Sequence, residues 1–173
     1  MALLRARYIH EIIPSLVPEV RCESKVRLGT VGDGGKWLCN PWRFPDNCRI
    51  LSLGVGGDVS FEKELQERLA AKNCSIIAVD PDKSYANLVA TVPRAQFKPW
   101  RIANESQPST GPGQEQIMSI KDAMREVGVD FVDVLKVDIE DSEYSALTPA
   151  LRNNSRPIAC QLMLEQHKLQ AEM

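Results

Sequence analysis

The stretch from Ile50 to Glu62 constrains this chain more than any other. The apolar run Ile50-Leu51-Ser52-Leu53 stops at Gly54, Gly56 and Gly57; Asp58 follows, and Phe61, Leu65 and Leu69 then recur at every fourth position. That order reads as a buried strand, a tight glycine loop and an amphipathic helix. Glycine admits positive φ and lets a ligand approach the backbone. The helix start behind the loop offers free N–H groups to a polar ligand. Ser60 is placed to cap that helix. Glu62 and Glu64 fall in its first turn, where negative charge complements the helix dipole.

Bulk properties narrow the class. A chain of 173 residues suggests one domain. Its net charge of -2 provides no global attraction to nucleic acid. No run approaches the roughly 20 apolar residues of a membrane span. Arg5 and Arg7 are followed by Glu11, Pro14 and Pro18, a poor signal peptide. As written the chain reads as cytoplasmic; a missing upstream targeting segment would place it in the secretory pathway. None of the five cysteines form a CxxC pair, which argues against a zinc site. Cys74 and Cys160 lie in apolar runs and read as buried thiols. Cys22, Cys39 and Cys48 fall in the less regular N-terminal third, where a disulfide is conceivable.

Along the chain, residues 2–13 suit a short helix ended by Pro14 and Pro18. The segment Val26 to Trp37 holds Gly29, Gly32, Gly34 and Gly35 and reads as a hairpin, since Asp33-Gly34 is a strong turn signal. Strands are expected over 49–55, 75–79, 131–137 and 157–164, with a weaker one over 95–102. Helices are expected after Ser60, over 84–91, and after the capping-box pattern at Ser119. A further helix should follow Glu143 with Tyr144, Leu147 and Leu151 facing inward. The polar segment 104–116 reads as a surface loop. Residues 1–45 form an N-terminal helix and Gly-rich turn region, and 46–173 a Rossmann-like core, in a single domain overall.

Strands alternating with helices predict an α/β fold with a mainly parallel sheet. Ligands in such sheets bind beyond the carboxyl ends of the strands, near the switch point. Three acidic strand ends converge there: Asp58, Asp80 and Asp138. Asp80, 26 residues beyond Gly54, suits bidentate hydrogen bonding to ribose hydroxyls. The dinucleotide fingerprint fails, because Val59 stands where a small residue is needed. A carboxylate at Asp58 would face a pyrophosphate badly and better suits a cationic amino group, such as that of S-adenosylmethionine. The plainer alternative is that Asp58 caps the helix.

Five blocks in order carry a resemblance. They are Gly32-Asp33-Gly34-Gly35-Lys36-Trp37-Leu38-Cys39, Leu51 to Glu62, Val79-Asp80-Pro81, Asp133 to Glu140, and Gln161 to His167. Over roughly residues 20–168 the chain resembles the methyltransferase-like protein 24 family, related to the FkbM-type S-adenosylmethionine-dependent methyltransferases. The resemblance implies a three-layer, Rossmann-like class I methyltransferase fold. It implies that Gly54, Gly56, Gly57 and Asp58 wrap the amino-acid part of the cofactor and that Asp80, beside Pro81, holds the ribose. Asp33 and Gly34 would approach the mouth; Asp138, Glu140 and His167 would line the catalytic side.

Two departures stand out. Such folds carry seven strands, and this chain runs out after about five. Without the last two strands a sheet edge lies open to association. The family pattern also often has glycine after Glu140, where this chain has Asp141.

The leading expectation is methyl transfer to an O or N nucleophile on an unidentified acceptor, with His167, Asp138 or Glu140 as general base. The alternative is a truncated, non-catalytic cofactor-binding or scaffold domain that pairs through its edge. A metal hydrolase built around Asp138, Glu165 and His167 has only one histidine to draw on, so no metal site is expected.

Overall fold

The computed structural model describes residues 21–109, 111, 113–152 and 156–167. The helix expected over 2–13 lies outside them. The described chain opens with the expected hairpin, β1 (Lys25–Leu28) paired antiparallel to β2 (Lys36–Cys39). After a 3-10 turn at Pro41–Arg43 come β3 (Arg49–Leu53), α1 (Ser60–Arg68) and β4 (Ser75–Val79). A 3-10 turn at Lys83–Tyr85 leads into the single helical turn α2 (Ala86–Val89), where one helix over 84–91 was expected.

The strand expected over 95–102 is two strands. β5 (Ala95–Lys98) pairs with β4, whereas β6 (Trp100–Ala103) pairs parallel to β7 (Gln116–Ser119) in a separate small sheet. Pro99 stands between them and has no N–H to continue a ladder. α3 (Ile120–Glu126) follows, and Ser119 caps it by accepting the Asp122 N–H. β8 (Val132–Val137), α4 (Glu143–Leu151) and β9 (Ala159–Leu164) complete the described elements.

The main sheet has five strands in the order β5-β4-β3-β8-β9, all parallel. Both faces are covered, as parallel sheets require. On one face Ile50, Ile76, Ala78 and Val134 pack with Phe61, Leu65 and Leu69 of α1 and with Leu28 and Leu38 of the hairpin. On the other, Leu51, Leu53, Leu135 and Val137 pack with Ile120 and Met124 of α3 and with Ala146, Leu147 and Ala150 of α4. The sheet is therefore the middle of three layers. No helix among the described residues is long and apolar enough to cross a membrane.

Four expectations need correction. On α4, Tyr144 and Leu151 are 66% and 51% exposed; Glu143, Ala146, Leu147 and Ala150 face inward instead. The small alanines bring that face close to the sheet, and Glu143 is held there by polar partners described below. Cys74 is buried, but as half of a disulfide with Cys48; a second disulfide joins Cys22 to Cys39. Cys160 is the free cysteine, and it is exposed on the outer strand. Ser60 does not cap α1 with its side chain; Asp58 accepts the Ser60 N–H instead.

Candidate functional site

β3 lies between β4 and β8, so the connections leave its two sides in opposite directions. Leu53 and Val137 are in register, and the ends of β3 and β8 lie side by side. The chain must turn sharply there. Gly54 has φ of 86°, and a Cβ at this position would lie 1.6 Å from the Asp138 carbonyl oxygen. No other residue fits so close an approach. A cavity of about 640 Å³ opens above these strand ends. That is an ordinary volume for a small-molecule site.

The cavity gathers nearly all of the site residues expected from sequence. Gly54, Gly56, Asp58, Asp80 and Pro81 form one side, and Asp33 and Gly34 of the hairpin reach over it. Asp138, Glu140 and His167 line the opposite side. Gly57 is not on the wall; a side chain there would meet the Tyr85 ring at 3.5 Å.

Asp80 pins the glycine loop. Its Oδ2 accepts the N–H groups of Val55 (2.9 Å) and Gly56 (3.2 Å), and Oδ1 accepts that of Asp82 (2.9 Å). Asp58 likewise has structural work. Oδ1 accepts the Ser60 N–H at 2.7 Å, and Oδ2 accepts the Thr30 hydroxyl at 2.9 Å. Partial burial disfavours the Asp58 charge. The Ser60 and Thr30 hydrogen bonds and the Lys136 charge outweigh that and hold its carboxyl below the usual range. Gly34 makes this contact possible, because a Cβ there would lie 2.1 Å from Asp58 Oδ2.

Beneath the loop lies a buried polar group of three. Lys136 Nζ donates to the Gly54 carbonyl at 2.5 Å and stands 3.7 Å from Glu62 Oε1. Ser52 donates to the same Glu62 oxygen at 2.6 Å. Glu62 is 1% exposed, so it does not serve as the solvated first-turn acid expected from its position. A carboxylate so deep must be met by a cation and a donor.

Lys36 ties the hairpin to the far strands. Its Nζ lies 2.5 Å from Glu165 Oε2, 3.1 Å from Asp138 Oδ2 and 3.0 Å from the Asp33 carbonyl oxygen. Burial works against its charge, but the two carboxylates outweigh it and raise its pKa above the ordinary lysine value. Sequence reasoning missed this residue. The signal was there: Lys36 shares the strand parity of Leu38, and both face inward.

His167 sits among acids. Its Nδ1 is 2.8 Å from Glu143 Oε1, and that oxygen also accepts the Ile139 N–H at 3.0 Å. Partial burial lowers the imidazole pKa, but Glu143, Glu140 and Asp138 outweigh it and raise the pKa above the ordinary value. Tyr85, Trp100 and Ile102 supply an apolar stretch of wall beyond the acids. Glu140 and Asp141 have φ of 53° and 69°, in the region glycine adopts most readily.

A parallel sheet with a ligand-sized cavity at its switch point defines a Rossmann-like α/β fold. The chain belongs to a methyltransferase-domain family, whose sequence profile matches residues 7–173. No curated protein matches it.

Proposed function

We propose that this domain transfers a methyl group from S-adenosylmethionine to an oxygen or nitrogen nucleophile. The observation that carries the reading is the cavity itself, which places the glycine loop and Asp80 opposite the Asp138, Glu140 and His167 cluster. The residues fit the cofactor on three counts. Gly54 and Gly56 present bare backbone to the cavity. Acids outnumber bases along the cavity wall, which suits a ligand with an ammonium and a sulfonium group. Tyr85, Trp100 and Ile102 offer an apolar face to a purine.

The cofactor supplies the electrophilic methyl group, and the protein's work is positioning. A carboxylate has about four lone-pair sites. Three of those on Asp80 take backbone N–H groups, so a ribose hydroxyl would meet Oδ1. Asp138, Glu140 and His167 face the acceptor, and one of them serves as the general base that takes its proton. The resemblance to the methyltransferase-like protein 24 family supports this assignment of roles. The two disulfides favour an oxidising compartment and hence the secretory alternative for localisation.

One observation favours a second reading. β9 is at the sheet edge among the described residues, with Leu162 and Leu164 exposed, which suits a non-catalytic domain that associates through that strand.

Calorimetry tests the proposal. S-adenosylmethionine and S-adenosylhomocysteine should each bind saturably, with NAD as a silent control. A folded chain that binds neither would remove the catalytic reading and leave the scaffold one.

A further inference from the structure

Asp138, Glu140 and His167 each direct one ligand atom to a common point, all within 4.8 Å of one another. These atoms make ion-pair contacts but no hydrogen bonds with one another. His167 Nε2 stands 3.9 Å from Asp138 Oδ1 and 3.6 Å from Glu140 Oε2, too far for hydrogen bonds. The neighbouring atoms of the same side chains are already engaged. Asp138 Oδ2 faces Lys36 at 3.1 Å, and His167 Nδ1 faces Glu143 Oε1 at 2.8 Å. Asp138 and His167 thus each have one atom tied into the protein and another turned to the shared gap, while Glu140 reaches the gap from an exposed position.

The Glu143 contact carries the second part of the argument. Glu143 is buried, and an ionised carboxylate only accepts. His167 Nδ1 therefore donates to Glu143, which turns Nε2, the nitrogen that an ion would take in place of its proton, toward the gap. A carboxylate that fixes the far nitrogen of an imidazole is the usual outer partner of a metal-bound histidine. Nitrogen–oxygen separations near 3 Å are what two cis ligands at about 2.1 Å from one ion require, so His167 Nε2 has to close by under about 1 Å on each carboxylate, and the remaining pair starts within 4.8 Å. Lys36 offsets part of the Asp138 charge, and the carboxylate charge that remains at the gap favours a cation.

The geometry points to a divalent-cation site formed by Asp138, Glu140 and His167, with Glu143 orienting the imidazole. The presence of only one histidine near these acids argued against a metal; the convergence of two carboxylates on it supplies the further donors. Mixed nitrogen and oxygen donors suit a first-row ion such as manganese(II) or iron(II). Three protein ligands leave coordination positions open to the cavity. Resting on the methyl-transfer reading, the site narrows the acceptor to a hydroxyl compound whose oxygen the ion would bind and acidify; the three side chains then act as ligands in place of the general base, and the hydroxyl proton leaves to solvent.

The test needs no cofactor, so its outcome is separate from that of the calorimetry above. The full chain, stripped with chelator, is titrated with manganese(II) chloride, and free ion is followed by its paramagnetic resonance signal. One ion per chain should bind with Kd below about 0.1 mM. His167→Ala and Glu140→Gln should each weaken binding by about tenfold or more, while Asp33→Asn, a cavity acid outside the set, should leave it unchanged. Glu140 is 85% exposed at its side chain, so Glu140→Gln removes a ligand without threatening the fold. No saturable binding up to about 1 mM would overturn the site, as would equal affinity in all three variants.

Discussion

Lys36 and Glu165, 129 positions apart in the chain, meet at 2.5 Å and join the first described hairpin to the segment that follows the last strand. The pair is largely shielded from water, and Asp138 shares the same ammonium group. Replacing Lys36 with methionine would keep most of the side chain's volume but leave two carboxylates facing each other. Lys36→Met should cost about 1–3 kcal/mol, read as a lower urea midpoint. Glu165→Gln in the same background should recover part of the loss. If the double variant is weaker than Lys36→Met, repulsion between Glu165 and Asp138 is not the cause.

Gly54 and Gly56 both have positive φ, yet they should respond differently to alanine. At Gly54 the added methyl meets the Asp138 carbonyl, whereas at Gly56 nothing lies within 4 Å. Backbone strain alone costs about 1–3 kcal/mol. Overpacking adds about 1–3 kcal/mol more at Gly54. Thermal unfolding should therefore show a far larger loss for Gly54→Ala than for Gly56→Ala. Equal losses would mean that the loop relaxes freely around Gly54.

Asp58 should make the hairpin-to-loop contact sensitive to acid. Its pKa is lowered in the folded chain, so the stability it contributes is fully present above the unfolded carboxyl value of about 4. It is lost as pH falls through the lower folded value. Asp58→Asn removes the titration, so its urea midpoint should fall less steeply than the wild type's below about pH 4. Parallel curves for the two proteins would show that other groups carry the acid dependence.

Asp141 holds φ at 69°. A left-handed conformation costs a non-glycine residue about 1–2 kcal/mol. Glycine brings its own entropic cost of about 0.5–1 kcal/mol. Asp141→Gly should therefore stabilise the fold by about 0.5–1 kcal/mol in a denaturant titration. A destabilised variant would show that the Asp141 side chain makes a compensating interaction.

Local patterns were legible wherever burial and periodicity coincide. The strand at Ser75–Val79 and the buried face Phe61, Leu65 and Leu69 follow directly from apolar spacing. So does the convergence of Gly54, Asp80 and Asp138, because a parallel sheet brings its strand ends together. The α4 face was misread because spacing favours large residues. Tyr144 and Leu151 outweigh Ala146 and Ala150 in a pattern, although the alanines are the ones that pack. Buried charge was the least legible feature. Strand parity with Leu38 hints that Lys36 is buried, but nothing local marks Glu62, and the compensating partners of both come from other strands or the segments after them.

The Cys48–Cys74 disulfide joins the residues just before β3 and β4, at the ends of those strands remote from the cavity. Covalent reinforcement and ligand chemistry thus occupy opposite poles of one sheet. Between them run strands of only five residues each. Engineers who want a hardier version of this domain can rework the lower pole, adding cross-links or filling gaps, and leave the geometry of the upper one untouched.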